Sequence, residues 1–201
     1  MTRSKGYNPR DRFFLKAKEE NFAARSVYKL QEIDQRFKVL AKGDTVLDLG
    51  CSPGSWSQYA SQKIGINGRV LGVDLQPVTV KLDNAVFIEA DLRDLQLNEV
   101  FEAHGFQPPF DVVISDMAPK TTGIKNTDQA RSMELCELAV DVSKRFLKPG
   151  GHFVCKFFHS SDFGDLRKLL QATFKKVEIV KPESTRTMSK EIFFVGLSKK
   201  P

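Results

Sequence analysis

Apolar positions along this chain follow two alternating rhythms. Val27, Leu30, Ile33 and Phe37 recur every three to four residues, the spacing of one helix face, and predict a helix over 23–38. The next apolar stretch, "DTVLDLG", is continuous, rich in β-branched residues and closed by Gly50, which predicts a buried strand. Continuous runs of the same kind predict strands at 68–75, 84–91, 110–116, 150–158, 176–182 and 191–198. Helix-period segments fall between them at 54–65, 93–104, 128–147 and 161–174. In 128–147, one broad face carries Ala130, Met133, Leu135, Leu138, Ala139, Val142, Phe146 and Leu147.

Strands that alternate with helices imply parallel pairing, right-handed crossovers and helices on both faces of one sheet. The last two strands are the exception. They are joined by "ESTRTMSK", eight residues without helical pattern, too short for a crossover, so they should pair antiparallel. The expectation is a Rossmann-like α/β fold: a seven-stranded, mostly parallel sheet with an antiparallel last strand.

In such a sheet, ligands bind beyond the carboxyl ends of the parallel strands. Those ends carry Asp48 and Gly50, then Asp74, Asp91, Asp116 and Lys156. An antiparallel last strand starts at the same edge and puts Glu191 there; the first predicted helix brings Lys29. Packing alone would not line one edge with so many charges.

Composition narrows the setting. With 201 residues, 41% hydrophobic and 28% charged, the chain reads as one soluble domain, 23–201, preceded by a basic arm, 1–22. No apolar run suits a membrane span, and the start lacks the apolar core of a signal peptide. Cys51, Cys136 and Cys155 form neither an even set nor a metal-ligand pattern, which fits a reducing cytoplasm and no metal site. The net charge is +6. Arg3, Lys5, Arg10, Arg12, Lys16 and Lys18 face a single acid, Asp11, within the first 18 residues, and Tyr7, Phe13 and Phe14 lie among them. Further basic residues, from Lys175 to Lys200, gather toward the other end. Two basic ends with interleaved aromatics favour a nucleic-acid partner.

The loop "GCSPGSW" limits what the strand ends can hold. A dinucleotide would call for closely spaced glycines and free amides at a helix start, whereas here Gly50 and Gly54 are four apart and Pro53 removes an N–H. No Gly-Lys-Ser/Thr follows, so a nucleotide-triphosphate loop is absent. Asp74 lies 24 residues after Gly50, the right interval for an acid that accepts from a ribose diol, and Asp91 one strand further out suits an adenine amino group. A ribose, an adenine, no phosphate and several acids facing a cation point to S-adenosylmethionine.

The segments "ARSVYKLQEID", "LDLGCSPGSWSQY", "ISDMAPKTTG", "PGGHFVCKFF" and "KPESTRTMSKEIFFVG" together resemble the RrmJ/FtsJ family of S-adenosylmethionine-dependent RNA ribose 2'-O-methyltransferases. The resemblance spans nearly the whole chain. It implies a Lys-Asp-Lys-Glu catalytic set at Lys29, Asp116, Lys156 and Glu191, and cofactor contacts at Gly54, Trp56, Asp74, Asp91 and Asp116, with Asp48 and Gly50 from the same loop. It also implies a substrate, the 2'-OH of a uridine in 23S rRNA of the large ribosomal subunit, as for the compact bacterial members. The enzyme is expected to work as a monomer without metal. Transfer RNA or an mRNA cap as acceptor, or a non-catalytic assembly factor of this fold, are the alternatives. Lys120, where a small polar residue is expected after "SDMAP", is a local departure. A lysine can take the hydroxyl proton if its neutral form is accessible, and carboxylate neighbours work against that, so base and positioning group both remain open for Lys156. Cytosine C5 chemistry would need a cysteine nucleophile, but Cys155 adjoins Lys156 and so faces the other side of the sheet.

Overall fold

The computed structural model describes residues 11–93, 96–120 and 122–201. Arg3, Lys5, Tyr7 and Arg10 of the predicted basic arm lie outside the described residues. The arm's remaining part contains a helix, α1 (Arg12–Glu19), started by Asp11, whose Oδ1 accepts from the Phe13 and Phe14 amides at 3.1 Å each. The charges on 12–18 hide an amphipathic turn: Ala17 is buried, and the Phe13 ring lies 5.5 Å from that of Tyr28.

The remaining helices are α2 (Val27–Phe37), α3 (Ser55–Ile64), α4 (Leu97–Ala103), α5 (Lys125–Phe146) and α6 (Phe163–Thr173). The strands are β1 (Thr45–Leu49), β2 (Arg69–Asp74), β3 (Ala85–Glu89), β4 (Phe110–Ser115), β5 (Leu147–Phe158), β6 (Phe174–Val180) and β7 (Glu191–Lys199). They form one seven-stranded sheet in the order β3-β2-β1-β4-β5-β7-β6. β1, β2, β3, β4 and β5 are mutually parallel, and β7 is antiparallel to both its neighbours. The antiparallel β6–β7 pairing agrees with the sequence pattern. The insertion of β7 between β5 and β6 is an added finding. The α6 crossover carries β6 one position past β5, and the last strand fills the gap.

Alternation along the strands divides the core into two layers. Val46, Val70, Val112, Ile114, Val154, Phe193 and Val195 face α1, α2 and α3. Leu47, Leu49, Leu71, Val73, Val113, Phe153, Cys155, Phe157 and Phe194 face α4, α5 and α6. Element limits shift slightly from expectation. α5 starts at Lys125 because the Asp128 carboxylate accepts from the amides of Thr122 and Gly123 and from the Thr122 hydroxyl, fastening the loop to the first turn.

Candidate active site

Beyond the carboxyl ends of β1, β2, β3 and β4 opens a cavity of about 400 Å³, within the usual range for small-molecule sites. Asp74 and Asp91 lie on its wall, as do Asp116 and Lys156. The loop after β1 forms the floor. Gly50 has φ +74°, and a Cβ there would meet Met117 Cγ at 2.5 Å, so glycine is required both by conformation and by the close approach of the next strand end.

Asp74 is held ready rather than consumed. One carboxylate oxygen accepts from the Ser52 amide at 2.9 Å and the other from the Gln76 amide at 2.8 Å. Each oxygen keeps a lone pair for a further donor, as binding of a diol requires. Asp91 is engaged by Arg93, whose Nε and Nη2 reach its two oxygens at 3.0 and 2.5 Å, and these bonds hold the Asp91 carboxyl below its usual range. Apolar walls come from Val73, Leu92, Met117, Leu135 and Leu138.

Three of the residues expected to contact a cofactor do not line this cavity. Gly54 caps α3 at φ +111°, where a Cβ would lie 2.0 Å from Val80 Cγ2; it lets the β2–β3 loop press on the helix start. Trp56, for which the resemblance implies a cofactor contact, has its side chain in the core. Its ring packs 5.7 Å from that of Phe193, and its Nε1 donates to the Ser26 carbonyl at 2.9 Å. That bond fixes the entry to α2. Asp48 lies wholly buried beneath the loop. Its Oδ2 accepts from Ser57 Oγ at 2.6 Å, while Oδ1 has no hydrogen-bond partner among the described residues. Burial pushes the Asp48 carboxyl up to about 7, against the Ser57 bond and helped by the charges of Asp116 and Asp74.

The four charged residues singled out as a set form two ion pairs. Lys156 Nζ donates to the Asp116 carbonyl at 2.5 Å and stands 3.0 Å from its Oδ1. Lys29 Nζ is 2.5 Å from Glu191 Oε1, and both side chains are only 12% exposed. Sheet register explains the meeting. Lys156 is opposite Phe193 on β7, and Glu191, two residues before Phe193, shares its face. That face packs against α2, so Lys29 reaches Glu191, and its ammonium lies 5.8 Å from the centre of the Phe193 ring. On the opposite face, Cys136 Sγ donates to the Lys156 carbonyl at 3.0 Å, which steadies the strand end and gives that buried thiol a structural task.

Sequence reasoning missed several lining groups. Ser26, Met117, Leu135 and Leu138 all reach the cavity. Leu135 and Leu138 read as plain core because they share the apolar stripe of α5, and the stripe does not say where the sheet stops covering it. Ser26 could have been found from its place one residue before the first apolar position of the helix; its hydroxyl lies 2.8 Å from that of Ser55 at the start of α3. Among the described residues, no His, Cys, Asp or Glu group is arranged to hold a metal ion, and no helix is long and apolar enough to cross a membrane.

The sequence model of a family described as FtsJ-like methyltransferase matches residues 22–199. A Bdellovibrio bacteriovorus protein called ribosomal RNA large subunit methyltransferase E is 73% identical over 194 residues, covering 96% of this chain and 99% of its own. A relative of the same name from Desulfatibacillum aliphaticivorans is 49% identical over 201 residues, covering 99% and 96%. Among solved structures, a Plasmodium falciparum protein assigned as a ribosomal RNA methyltransferase superposes with TM-score 0.74 at 26% identity, over 89% of this chain and 98% of its own. Aeropyrum pernix fibrillarin, solved with natively bound S-adenosyl-L-methionine, shares the fold, with TM-score 0.62 and 19% identity over 86% of this chain and 76% of its own.

Proposed function

Because this chain belongs to the FtsJ-like methyltransferase family, we propose that it methylates the 2'-OH of a uridine in large-subunit (23S) ribosomal RNA, using S-adenosylmethionine. The large-subunit RNA follows the name shared by its relatives. We read the substrate as the assembled subunit, the working form as a monomer and the place of work as the cytoplasm. The observation that carries the reading is one cavity with a diol acceptor, Asp74, at one side and the Lys156–Asp116 pair at the other.

The cavity suits that cofactor. Asp74 offers two oriented oxygens to a ribose, Leu92 and Met117 offer apolar contact to an adenine, and the surrounding acids favour a cation. Pro53 removes one backbone N–H from the loop where a phosphate cradle would need it. Bound, the cofactor supplies an electrophilic methyl group on a sulfonium. The protein supplies orientation and a route for the hydroxyl proton. We assign Lys156 Nζ to the 2'-OH, with Asp116 fixing Nζ through its carbonyl and carboxylate. Lys29 and Glu191 flank this pair and hold the acceptor ribose.

The test is transfer of label from S-adenosylmethionine to free 23S rRNA, transfer RNA, and large subunits taken from cells that lack the activity, followed by mapping. The expected result is label on the ribose of one uridine of the large subunit. Transfer to none of these RNAs would overturn the reading, and label on transfer RNA alone would replace it with that acceptor.

A further inference from the structure

The loop between β6 and β7 reaches Glu191 through two tight turns, closed by Thr185 N to the Pro182 carbonyl and Ser189 N to the Arg186 carbonyl, each at 2.9 Å. The first of these turns is held from outside. One oxygen of the Glu32 carboxylate accepts from the Glu183 amide at 2.6 Å, and the other accepts from the Ser184 amide at 3.0 Å. Glu32 stands on α2 three residues after Lys29, so the two side chains are one helical turn apart. Thus one helix grips both ends of the loop: Glu32 at its start, and Lys29 at the first residue after it, Glu191.

We infer that Glu32 is a positioning residue for methyl transfer, locking the β6–β7 loop onto α2 so that Glu191 stays on Lys29. The inference rests on the proposed reading that Lys29 and Glu191 belong to the acceptor side of the site.

The loop needs such a lock. The hydroxyls of Ser184 and Thr185 are buried without a hydrogen-bond partner among the described residues, which disfavours this seat. Two amides donating to a carboxylate are the stronger kind of hydrogen bond and offset that cost. A second fastening comes from the other side: Arg25 donates to the Ser184 carbonyl and pairs with Asp11, and Arg186 stands 3.6 Å from the same Asp11 carboxylate. That fastening ties the loop to the start of α1, whereas Glu32 ties it to the helix that carries Lys29. From the first turn the position is passed along a stiff path. The Ser189 hydroxyl accepts from the Glu191 amide at 3.2 Å, and the Lys190 carbonyl accepts from His159 N at 3.1 Å.

The experiment compares Glu32→Gln and Glu32→Ala in the full-length protein, alone and combined with Glu191→Gln. Amide hydrogen exchange at Glu183 and Ser184 reads the lock directly and should quicken by about tenfold or more in Glu32→Ala. Single-turnover transfer to large subunits at saturating cofactor should fall by about 10–100-fold in the same variant, the scale of a misplaced group acting at a distance. Cofactor affinity should not change. Glu32→Gln keeps an acceptor oxygen and should recover part of the rate. The deciding measurement is the combination. In the Glu191→Gln background, losing Glu32 should cost less than about threefold, because the pair it positions is already broken. A role confined to general stability would instead lower the rate by the same factor in both backgrounds. That outcome, or a wild-type rate in Glu32→Ala, overturns the inference. If Glu32→Ala does not fold, Glu32→Gln carries the same comparison, and equal losses in both backgrounds again overturn it. Failure of the underlying reading shows elsewhere: Glu191→Gln alone would then transfer at the wild-type rate, which removes the pair from the reaction and the inference with it.

Discussion

The two halves of the candidate site are built by opposite means. On the side we propose for the cofactor, Asp74 is fixed by backbone amides of Ser52, in the loop after the neighbouring β1, and of Gln76, two residues on. On the side we propose for the acceptor, Lys29, Asp116, Lys156 and Glu191 come from four distant parts of the chain and are fixed by charge pairing. Backbone-held groups survive loss of a neighbouring side chain. Charge-paired groups do not, because each is the anchor of another. Damage should therefore stay local on the first side and spread on the second.

The largest expected break is on the acceptor side. Lys156→Ala should lower single-turnover transfer at saturating cofactor by at least about 100-fold, the scale for losing a positioned acid–base group. Cofactor affinity should hold within about twofold, since Asp74 does not depend on Lys156. Lys156→Arg should rescue poorly, because a guanidinium stays protonated and spreads its donors differently. Near wild-type transfer by the alanine variant would remove Lys156 from the chemistry.

The matching break on the cofactor side is Asp74→Ala. It should weaken S-adenosylmethionine binding by about 1.5–3 kcal/mol in calorimetric titration, the cost of losing a charged acceptor. Transfer at saturating cofactor should change far less. An equal fall in both quantities would mean that the two halves are coupled after all.

Asp48 sharpens the comparison, because it is buried beneath the cofactor half with one oxygen unpartnered among the described residues. Its folded-state carboxyl, pushed up to about 7, binds a proton more tightly than in the unfolded chain. Its contribution to stability is therefore present in full below about pH 4 and is lost as pH rises through about 7. For a domain of this size, 1 kcal/mol moves the melting temperature by about 2–4 °C, so a fall of at least that much is expected between pH 5 and pH 8 in the absence of cofactor. Asp48→Asn should flatten the slope. The same slope in both proteins would place the titration elsewhere.

The smallest effect tests whether the basic start of the chain serves either half. Replacing Arg3, Lys5, Arg10 and Arg12 with alanine should weaken RNA binding and make it less sensitive to salt. The logarithmic slope should shrink by about 0.7 for each phosphate that is no longer neutralised. Cofactor affinity should not move. An unchanged slope would take these residues off the RNA.

The sequence placed Asp116, Lys156 and Glu191 at one sheet edge, but it did not foretell their meeting: that depends on β7 lying beside β5, which sets Phe193 opposite Lys156 and Glu191 on the same face. It also pointed to a ligand at that edge, through the Gly50 loop and the interval to Asp74. What it could not show was how neighbours would use the same residues. Trp56 sits at a loop–helix junction, and its side chain is large enough to reach Phe193 and the Ser26 carbonyl as well. Asp48 heads the same loop, but strand alternation turns it under the floor. Glu32 carries no motif of its own. Its partners are backbone amides far along the chain, which no side-chain pattern reveals.

The place of β7 between β5 and β6 also sets the order in which the molecule can be made. It is the last strand of the sheet to leave the ribosome, and it enters as an inner strand. Until it arrives, β5 and β6 each present an open edge, the kind of surface on which unfinished chains stick to one another. Glu191 arrives with it, so the Lys29–Glu191 ion pair forms in the same step that seals the sheet. Until then Lys29 has no such partner to meet, and the pairing of α2 with the sheet edge waits on the last strand.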